Sequence, residues 1–225
     1  MDKIQIIEKL FSYILEYSYI LIPLGLIFSK SKQNRLVISL VVYGIAFFLI
    51  LHYYYDFPKS YRKLQQTIFT FLEYSFFTYA FWLNIKHAKF RKVMLVFSFL
   101  FVCFQIFYFV SADTQRVDSI PVGIETILIL IYAFVYFQQY FNENRTTYIH
   151  NDPNFWIVVG ILIYLGSSFF FNILANQISK DYWHFTFVPD IIKNVLFFVS
   201  VVKYKAPMKA NGKIDASKVP YLDMI

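Results

Sequence analysis

Charged residues and glycine are scarce in this sequence. Asp, Glu, Lys and Arg make up only 16% of its 225 residues, and Gly occurs 6 times. Soluble domains carry about 25% charged residues. A water-soluble globule in which 58% of the residues are apolar would also expose large apolar patches. The composition therefore excludes an ordinary soluble domain and indicates a protein that lies in a lipid bilayer.

Cysteine and histidine are too sparse for several kinds of site. Cys103 is the single cysteine, so an intrachain disulfide and a cysteine-based metal site are both excluded. The histidines stand at unrelated spacings and predict no metal cluster: they are His52, His87, His150 and His184. Because the sequence carries no catalytic or cofactor motif, we expect no cofactor, no metal and no enzymatic activity.

Long apolar runs are abundant. A helix needs about 20 largely apolar residues to cross a hydrocarbon core of about 30 Å. Such runs lie between clusters of charge at residues 4–29, 36–54, 64–85, 92–111, 120–141, 154–177 and 184–203. Backbone groups in lipid must be satisfied within each segment, which favours helices over strands. We predict an all-α polytopic membrane protein, with seven transmembrane helices over residues 1–205 and a short flexible cytoplasmic tail over 206–225.

The distribution of lysine and arginine predicts the orientation, because positive charge is retained on the cytoplasmic side. One set of alternate loops, together with the tail, holds most of these residues: Lys30, Lys32, Arg35, Lys86, Lys89, Arg91, Lys92, Arg145, Lys203, Lys205, Lys209, Lys213 and Lys218. The bias places the N-terminus outside and the C-terminus in the cytoplasm. The net charge of +7 is then a topology signal, so we expect the lipid bilayer, and no nucleic acid, as a partner.

Ionisable side chains at membrane depth are costly and usually face the interior of a bundle. The main candidates for a ligand-binding or buried polar cluster are Glu73, Glu125, Asn172, Asp190, Lys193 and Asn194, and the secondary candidates are Glu16, His52, Gln105 and Tyr132. In the predicted orientation these groups lie at the midplane or in the outer half. We therefore predict a polar cavity that faces outward.

Lys193 needs a partner, because a lone buried ion costs a few kcal/mol. Glu73, Glu125 and Asp190 are the candidates, and the sequence does not choose among them. Structural hydrogen bonds between helices are the alternative explanation for many of the polar groups, Gln105 and Tyr132 included.

A lysine at the centre of the seventh helix also invites comparison with retinal proteins, since a desolvated lysine forms Schiff bases. Microbial rhodopsins carry an Asp four residues before that lysine and a Trp-x-x-Tyr-Pro pattern on helix six. Here Asp190 stands three residues before Lys193, and helix six has no such proline. A retinal-type photoreceptor is therefore a poor match to this sequence.

Three segments carry a resemblance to a protein family. They are NFWIVVGILIYLGSSFFFNIL at 154–174, DIIKNVLFF at 190–198 and IETILILIYAFVYFQQYF at 124–141. They resemble uncharacterised seven-helix membrane proteins of Bacteroidota, some of which look like companions of sensor histidine kinases. The resemblance implies a sensory or signalling role in a bacterial inner membrane, and it assigns no catalytic residue.

These observations lead to one functional hypothesis and its alternatives. We expect a receptor-like sensor whose outward-facing cavity takes a small-molecule ligand and which acts through a protein partner at the cytoplasmic loops. A small transporter, or a proton or ion pathway, would use the same buried charges. A structural subunit of a membrane assembly and an intramembrane enzyme acting on lipid are further alternatives, although no histidine pairs with a carboxylate on one helix face.

Overall fold

The computed structural model describes residues 3–29, 34–54, 58, 61–111, 119–142, 152–174 and 185–204. These residues form seven α-helices and no strand: α1 Lys3–Phe28, α2 Arg35–His52, α3 Arg62–Asn84, α4 Ala88–Ser111, α5 Ser119–Asn142, α6 Pro153–Leu174 and α7 Val188–Lys203. The all-helical prediction is therefore confirmed for this part of the chain. The predicted tail, residues 206–225, lies outside the described residues.

Six of the described helices are long and apolar enough to cross a membrane, namely α1, α2 and α4 to α7. This agrees with the prediction of a multi-pass membrane protein. Helix α3 falls short because its 23 residues include Lys63, two glutamines and Glu73. It packs against α2, α4 and α5, so neighbouring helices cover surface that would otherwise have to be apolar for lipid.

The helices pack as a ring with one peripheral member. Helix α7 lies against α1 and α6, α1 packs on α2, and α3 lies between α2 and α5. Helix α4 packs mainly on α3 and α5 and leaves most of its surface exposed, including Phe99 and Phe107. The core is therefore formed where α1, α2, α3, α5, α6 and α7 face one another.

Helices α1 and α2 approach closely at Gly44. A Cβ atom built at Gly44 would lie 2.8 Å from the carbonyl oxygen of Tyr19 and 3.0 Å from Cδ of Pro23. No real Cβ tolerates such a contact with backbone, so a side chain at position 44 would push the two helices apart. Glycine at this position fixes the spacing between α1 and α2.

At the end of the bundle where α2 begins and α5 ends, side chains connect several helices. The Gln139 amide oxygen accepts a hydrogen bond of 2.8 Å from the backbone N–H of Lys86, and Tyr204 donates to the Asn154 side chain. Burial, helped by the carboxylate of Asp152, raises the pKa of the Tyr204 phenol, so its hydroxyl stays a donor.

Candidate functional site

Lys193 lies at the centre of the core with no exposed surface. Its Nζ is 2.6 Å from Oδ1 of Asp190, one turn earlier on α7, and 3.6 Å from Oε1 of Glu73 on α3. It also donates a hydrogen bond of 2.6 Å to the hydroxyl of Tyr43 on α2. The sequence predicted that a carboxylate would pair with Lys193, and the structure brings two of the three candidates to it.

Tyrosine hydroxyls donate hydrogen bonds to both carboxylates. The Tyr19 hydroxyl on α1 is 2.9 Å from each carboxylate oxygen of Asp190 and donates to that group, while Nζ of Lys193 donates to the same Tyr19 oxygen at 3.4 Å. Tyr164 on α6 donates to Oε2 of Glu73 at 3.0 Å. We call Tyr19, Tyr43, Glu73, Tyr164, Asp190 and Lys193 the lysine cluster. It takes side chains from five helices.

Aromatic rings surround the ammonium group as well. Nζ of Lys193 lies 3.9 Å from the ring centroid of Tyr164, 5.3 Å from those of Tyr19 and Tyr43, and 5.7 Å from that of Phe77. A desolvated cation over an aromatic face gains about 2 kcal/mol. The cage therefore stabilises the charge that the carboxylates neutralise, and it leaves the ammonium no contact with solvent.

Asn194 makes its hydrogen bond to α1 and not to the carboxylates of the lysine cluster. Its amide Nδ2 donates a 2.8 Å hydrogen bond to Oγ of Ser18 on α1, and Ser18 in turn donates to the carbonyl of Leu15 at 2.6 Å. Gly160 on α6 lets α7 approach on its other side, since a Cβ there would lie 3.3 Å from Leu196 and Phe197. These contacts position the α7 turn that carries Asp190 and Lys193.

Glu125 on α5 is buried, with 1% of its surface exposed. Within the described residues its Oε1 has no hydrogen-bond partner, and it interacts electrostatically with Glu73 and Lys193. Of the three buried carboxylates, Glu73 and Asp190 contact the ammonium group of Lys193. The position of Asn172 lies on α6, but its side chain falls outside the described residues.

Two of the predicted secondary residues belong to other contacts. Tyr132 shares a hydrogen bond of 3.2 Å with Tyr74, which also meets Ser98 at 3.0 Å. Gln105 donates to the backbone carbonyl of Thr67 over 3.4 Å. Both contacts join α3 to its neighbours α4 and α5, which is the interhelical bonding that the alternative explanation predicted.

Glu16 and His52 pair with each other at the edge of the bundle. Nδ1 of His52 lies 2.8 Å from Oε1 of Glu16, with 51% of the histidine side chain and 14% of the glutamate side chain exposed. His52 ends α2, so α1 extends about 20 Å beyond this level toward Lys3. Glu16 lies at the middle of α1, as expected, and level with the end of α2.

A polar cleft opens beside this pair. Its volume is about 510 Å³, and its walls include Glu8, Tyr13, Glu16, Tyr17, His52 and Phe187. We call it the Glu16 cleft. The sequence predicted a polar cavity that faces outward. In the structure the lysine cluster is enclosed, and the polar space that opens adjoins Glu16 and His52 instead.

The charged members of the lysine cluster were predicted from the sequence, whereas Tyr19, Tyr43 and Tyr164 were not. A tyrosine in the middle of an apolar helix was the one available signal, since a buried phenol needs a partner. Chemically, the cluster holds a charge network between five helices, and the cleft offers a carboxylate and an imidazole to solvent.

No protein-family model, curated protein or solved structure matches the chain.

Proposed function

We propose that this protein is a receptor-like sensor of a bacterial inner membrane. It crosses the membrane seven times, with α3 as the crossing that neighbouring helices shield, and its N-terminus is outside. The excess of Lys and Arg on one side of the predicted topology supports this orientation. A cue acts at the Glu16 cleft on the outer side, and a protein partner reads the response at the cytoplasmic loops.

The observation that carries the proposal is that α1 and α2 contribute to both the cleft and the lysine cluster. Glu16 and Tyr19 are three residues apart on α1, so about 4.5 Å of helix rise separates them. On α2, His52 faces the cleft, and Tyr43 holds Lys193. A change in how the two helices meet at the cleft therefore acts on the hydrogen bonds of Lys193.

The enclosure of the lysine cluster favours a conformational switch over a pathway for ions or substrate. Lys193 has no exposed surface, and rings of Tyr19, Tyr43, Phe77 and Tyr164 surround its ammonium group. A packed charge network of this kind has discrete arrangements rather than a continuous range. Two such arrangements, favoured differently by an occupied and an empty cleft, would transmit a cue to α3, α6 and α7.

The proposal is tested by measuring distances at the far end of the bundle. Spin labels are attached in a Cys103→Ser background at Arg35→Cys and Phe141→Cys, two exposed positions at the ends of α2 and α5 opposite the cleft. We expect Glu16→Gln to shift the label-to-label distance distribution, because it weakens the contact between α1 and α2.

A matched change and a double variant complete this test. Tyr53→Phe, next to His52 but outside the pair, should leave the distribution unchanged. Adding Tyr43→Phe to Glu16→Gln should add little to the larger of the two single effects, since both act through one network. A Glu16→Gln distribution identical to that of the parent would overturn the proposed coupling.

A small transporter or proton pathway is the second candidate, and one observation favours it. Glu73 and Asp190 contact one ammonium group, and a third buried carboxylate, Glu125, has an Oε1 with no hydrogen-bond partner in the described part of the chain. A surplus of buried carboxylate is typical of proton relays in membranes. Reconstitution into vesicles with a trapped pH dye separates the two functions: Glu125-dependent proton flux supports the pathway, and its absence supports the sensor.

A further inference from the structure

One of the two carboxylate oxygens of Glu16 makes a hydrogen bond within the described residues. Its Oε1 is held by Nδ1 of His52 at 2.8 Å, and within the described residues Oε2 makes no hydrogen bond. The side chain is 14% exposed, so the pair with His52 fixes the direction in which the remaining oxygen faces. A fixed, partly desolvated acceptor binds a charged donor better than a mobile surface carboxylate does.

Among the described residues that line the cleft, carboxylates outnumber ammonium groups. Glu8 and Glu16 contribute two carboxylates, and Lys9 contributes one ammonium, which lies 5.9 Å from the ring centroid of Tyr13; the His52 imidazole contacts Glu16. In the described part of the chain no group of three or more His, Cys, Asp and Glu side chains is placed to hold a metal ion. The electrostatics therefore favour an organic cation over an anion or a metal.

Aromatic side chains form the rest of the wall. Tyr13 and Tyr17 on α1 leave about half of their surfaces exposed, and Phe187 lies beside the start of α7. Aromatic faces attract ammonium groups and tolerate the methylenes attached to them. A carboxylate with rings around it is the combination that recognises an alkylammonium ion.

We propose that the Glu16 cleft binds a primary ammonium group, which donates a hydrogen bond to the Glu16 carboxylate and rests against the rings of Tyr13 and Tyr17. This identification of the ligand class rests on the proposed function, in which the cleft receives the cue. Two sources supply the same chemistry. One is the headgroup of an aminolipid such as phosphatidylethanolamine, and the other is a free water-soluble amine.

The position of the cleft allows either source to reach it. Helix α1 continues about 20 Å beyond the level of Glu16 and His52, and the cleft lies along this extension. Its volume of about 510 Å³ accommodates a headgroup or a small amine.

The test uses the full-length protein and two probes. Native mass spectrometry compares retention of phosphatidylethanolamine with that of phosphatidylglycerol, which has no ammonium group, and calorimetry in detergent measures binding of free ethanolamine. We expect Glu16→Gln to weaken whichever ammonium probe binds by about tenfold or more, because a charge-assisted hydrogen bond is lost. Tyr17→Ala, at a position that is 57% exposed, should weaken it about threefold without affecting folding.

Asp152→Asn is the matched control, since it removes a carboxylate at the opposite end of the bundle. Selective retention of phosphatidylethanolamine that Glu16→Gln abolishes supports the lipid source, and ethanolamine binding without that selectivity supports the free amine. Binding of neither probe, or equal binding by parent and Glu16→Gln, overturns the ammonium site. The far-end distance measurement is made without either probe, so a failed ammonium site and a failed coupling between the two ends are separate results.

Discussion

Two short side-chain contacts of carboxylates in this bundle differ almost completely in their surroundings. The Asp190–Lys193 contact is buried among tyrosines from three helices, whereas the Glu16–His52 contact has a histidine that is 51% exposed. Both are about equally short. They differ in their exposure to solvent, and this exposure determines how much each contact contributes to stability.

Burial makes the Asp190–Lys193 contact necessary for the stability of the fold. Removing one partner from a buried ion pair leaves a charge without compensation and costs about 3 to 5 kcal/mol, whereas an exposed pair contributes up to about 1 kcal/mol. The lysine cluster therefore fixes which arrangements the bundle can adopt. The Glu16–His52 pair lies at the edge of the bundle and contributes little to stability, so a ligand can bind beside it without disrupting the core.

The largest expected effect comes from removing the buried cation. Lys193→Met should lower the free energy of unfolding by about 3 kcal/mol, because Asp190 and Glu73 lose their counter-ion. Detergent-induced unfolding followed by circular dichroism measures this change, with the exposed Lys89→Met as its control. Adding Asp190→Asn to Lys193→Met should restore part of the loss. A double variant less stable than Lys193→Met would contradict the pairing.

A smaller loss is expected when α1 and α2 are forced apart. Gly44→Ala places a methyl group against the Tyr19 carbonyl and should cost about 2 kcal/mol. Gly123→Ala on α5 is the matched control, because a Cβ there meets nothing within 4 Å, and it should change stability by less than about 0.5 kcal/mol. Equal stability of the two variants in the same unfolding assay would show that the close approach is not needed.

Removing a single hydroxyl from the lysine cluster should have an intermediate effect. Tyr43→Phe deletes the 2.6 Å hydrogen bond from Lys193 while it keeps the ring, so we expect a loss of about 1.5 kcal/mol. Tyr79→Phe, on the exposed side of α3, removes a hydroxyl from the same class of residue and should cost almost nothing. The same loss in both variants would mean that the Tyr43 hydroxyl adds nothing specific.

The smallest effect is expected at the exposed pair. His52→Ala should lower the free energy of unfolding by less than about 0.5 kcal/mol, because solvent screens the contact with Glu16. Raising the ionic strength should reduce this loss further. A decrease as large as that of Tyr43→Phe would place the Glu16–His52 pair in the same energetic class as the buried contact and would remove the contrast between the two regions.

The helices were predictable because each apolar run is bounded by charge. One discrepancy is the start of α4, which was expected at 92 and lies at Ala88. Lys89, Arg91 and Lys92 appeared to belong to a loop, yet long basic side chains continue a helix into the membrane interface without disrupting it. Hydropathy alone therefore finds the membrane-spanning part of a helix and not its true end.

The lysine cluster was predictable only in part. The contact between Asp190 and Lys193 follows from their spacing of three residues on one helix. The approach of Glu73 from α3, and of the tyrosines from α1, α2 and α6, depends on which helices become neighbours. The level of Glu16 depends on how far α1 extends past α2, and the continuous apolar run over residues 4–29 does not specify that offset.

The lysine cluster also has a consequence for biosynthesis. Ribosomes complete α3, with Glu73 at its middle, long before α7 emerges with Lys193. Until then the carboxylate has no ammonium partner, so the nascent chain must keep α3 near the insertion machinery or carry Glu73 as the neutral acid. Arrival of α7 supplies the missing cation and the last wall of the core in one step. Assembly of the core therefore depends on the insertion of α7.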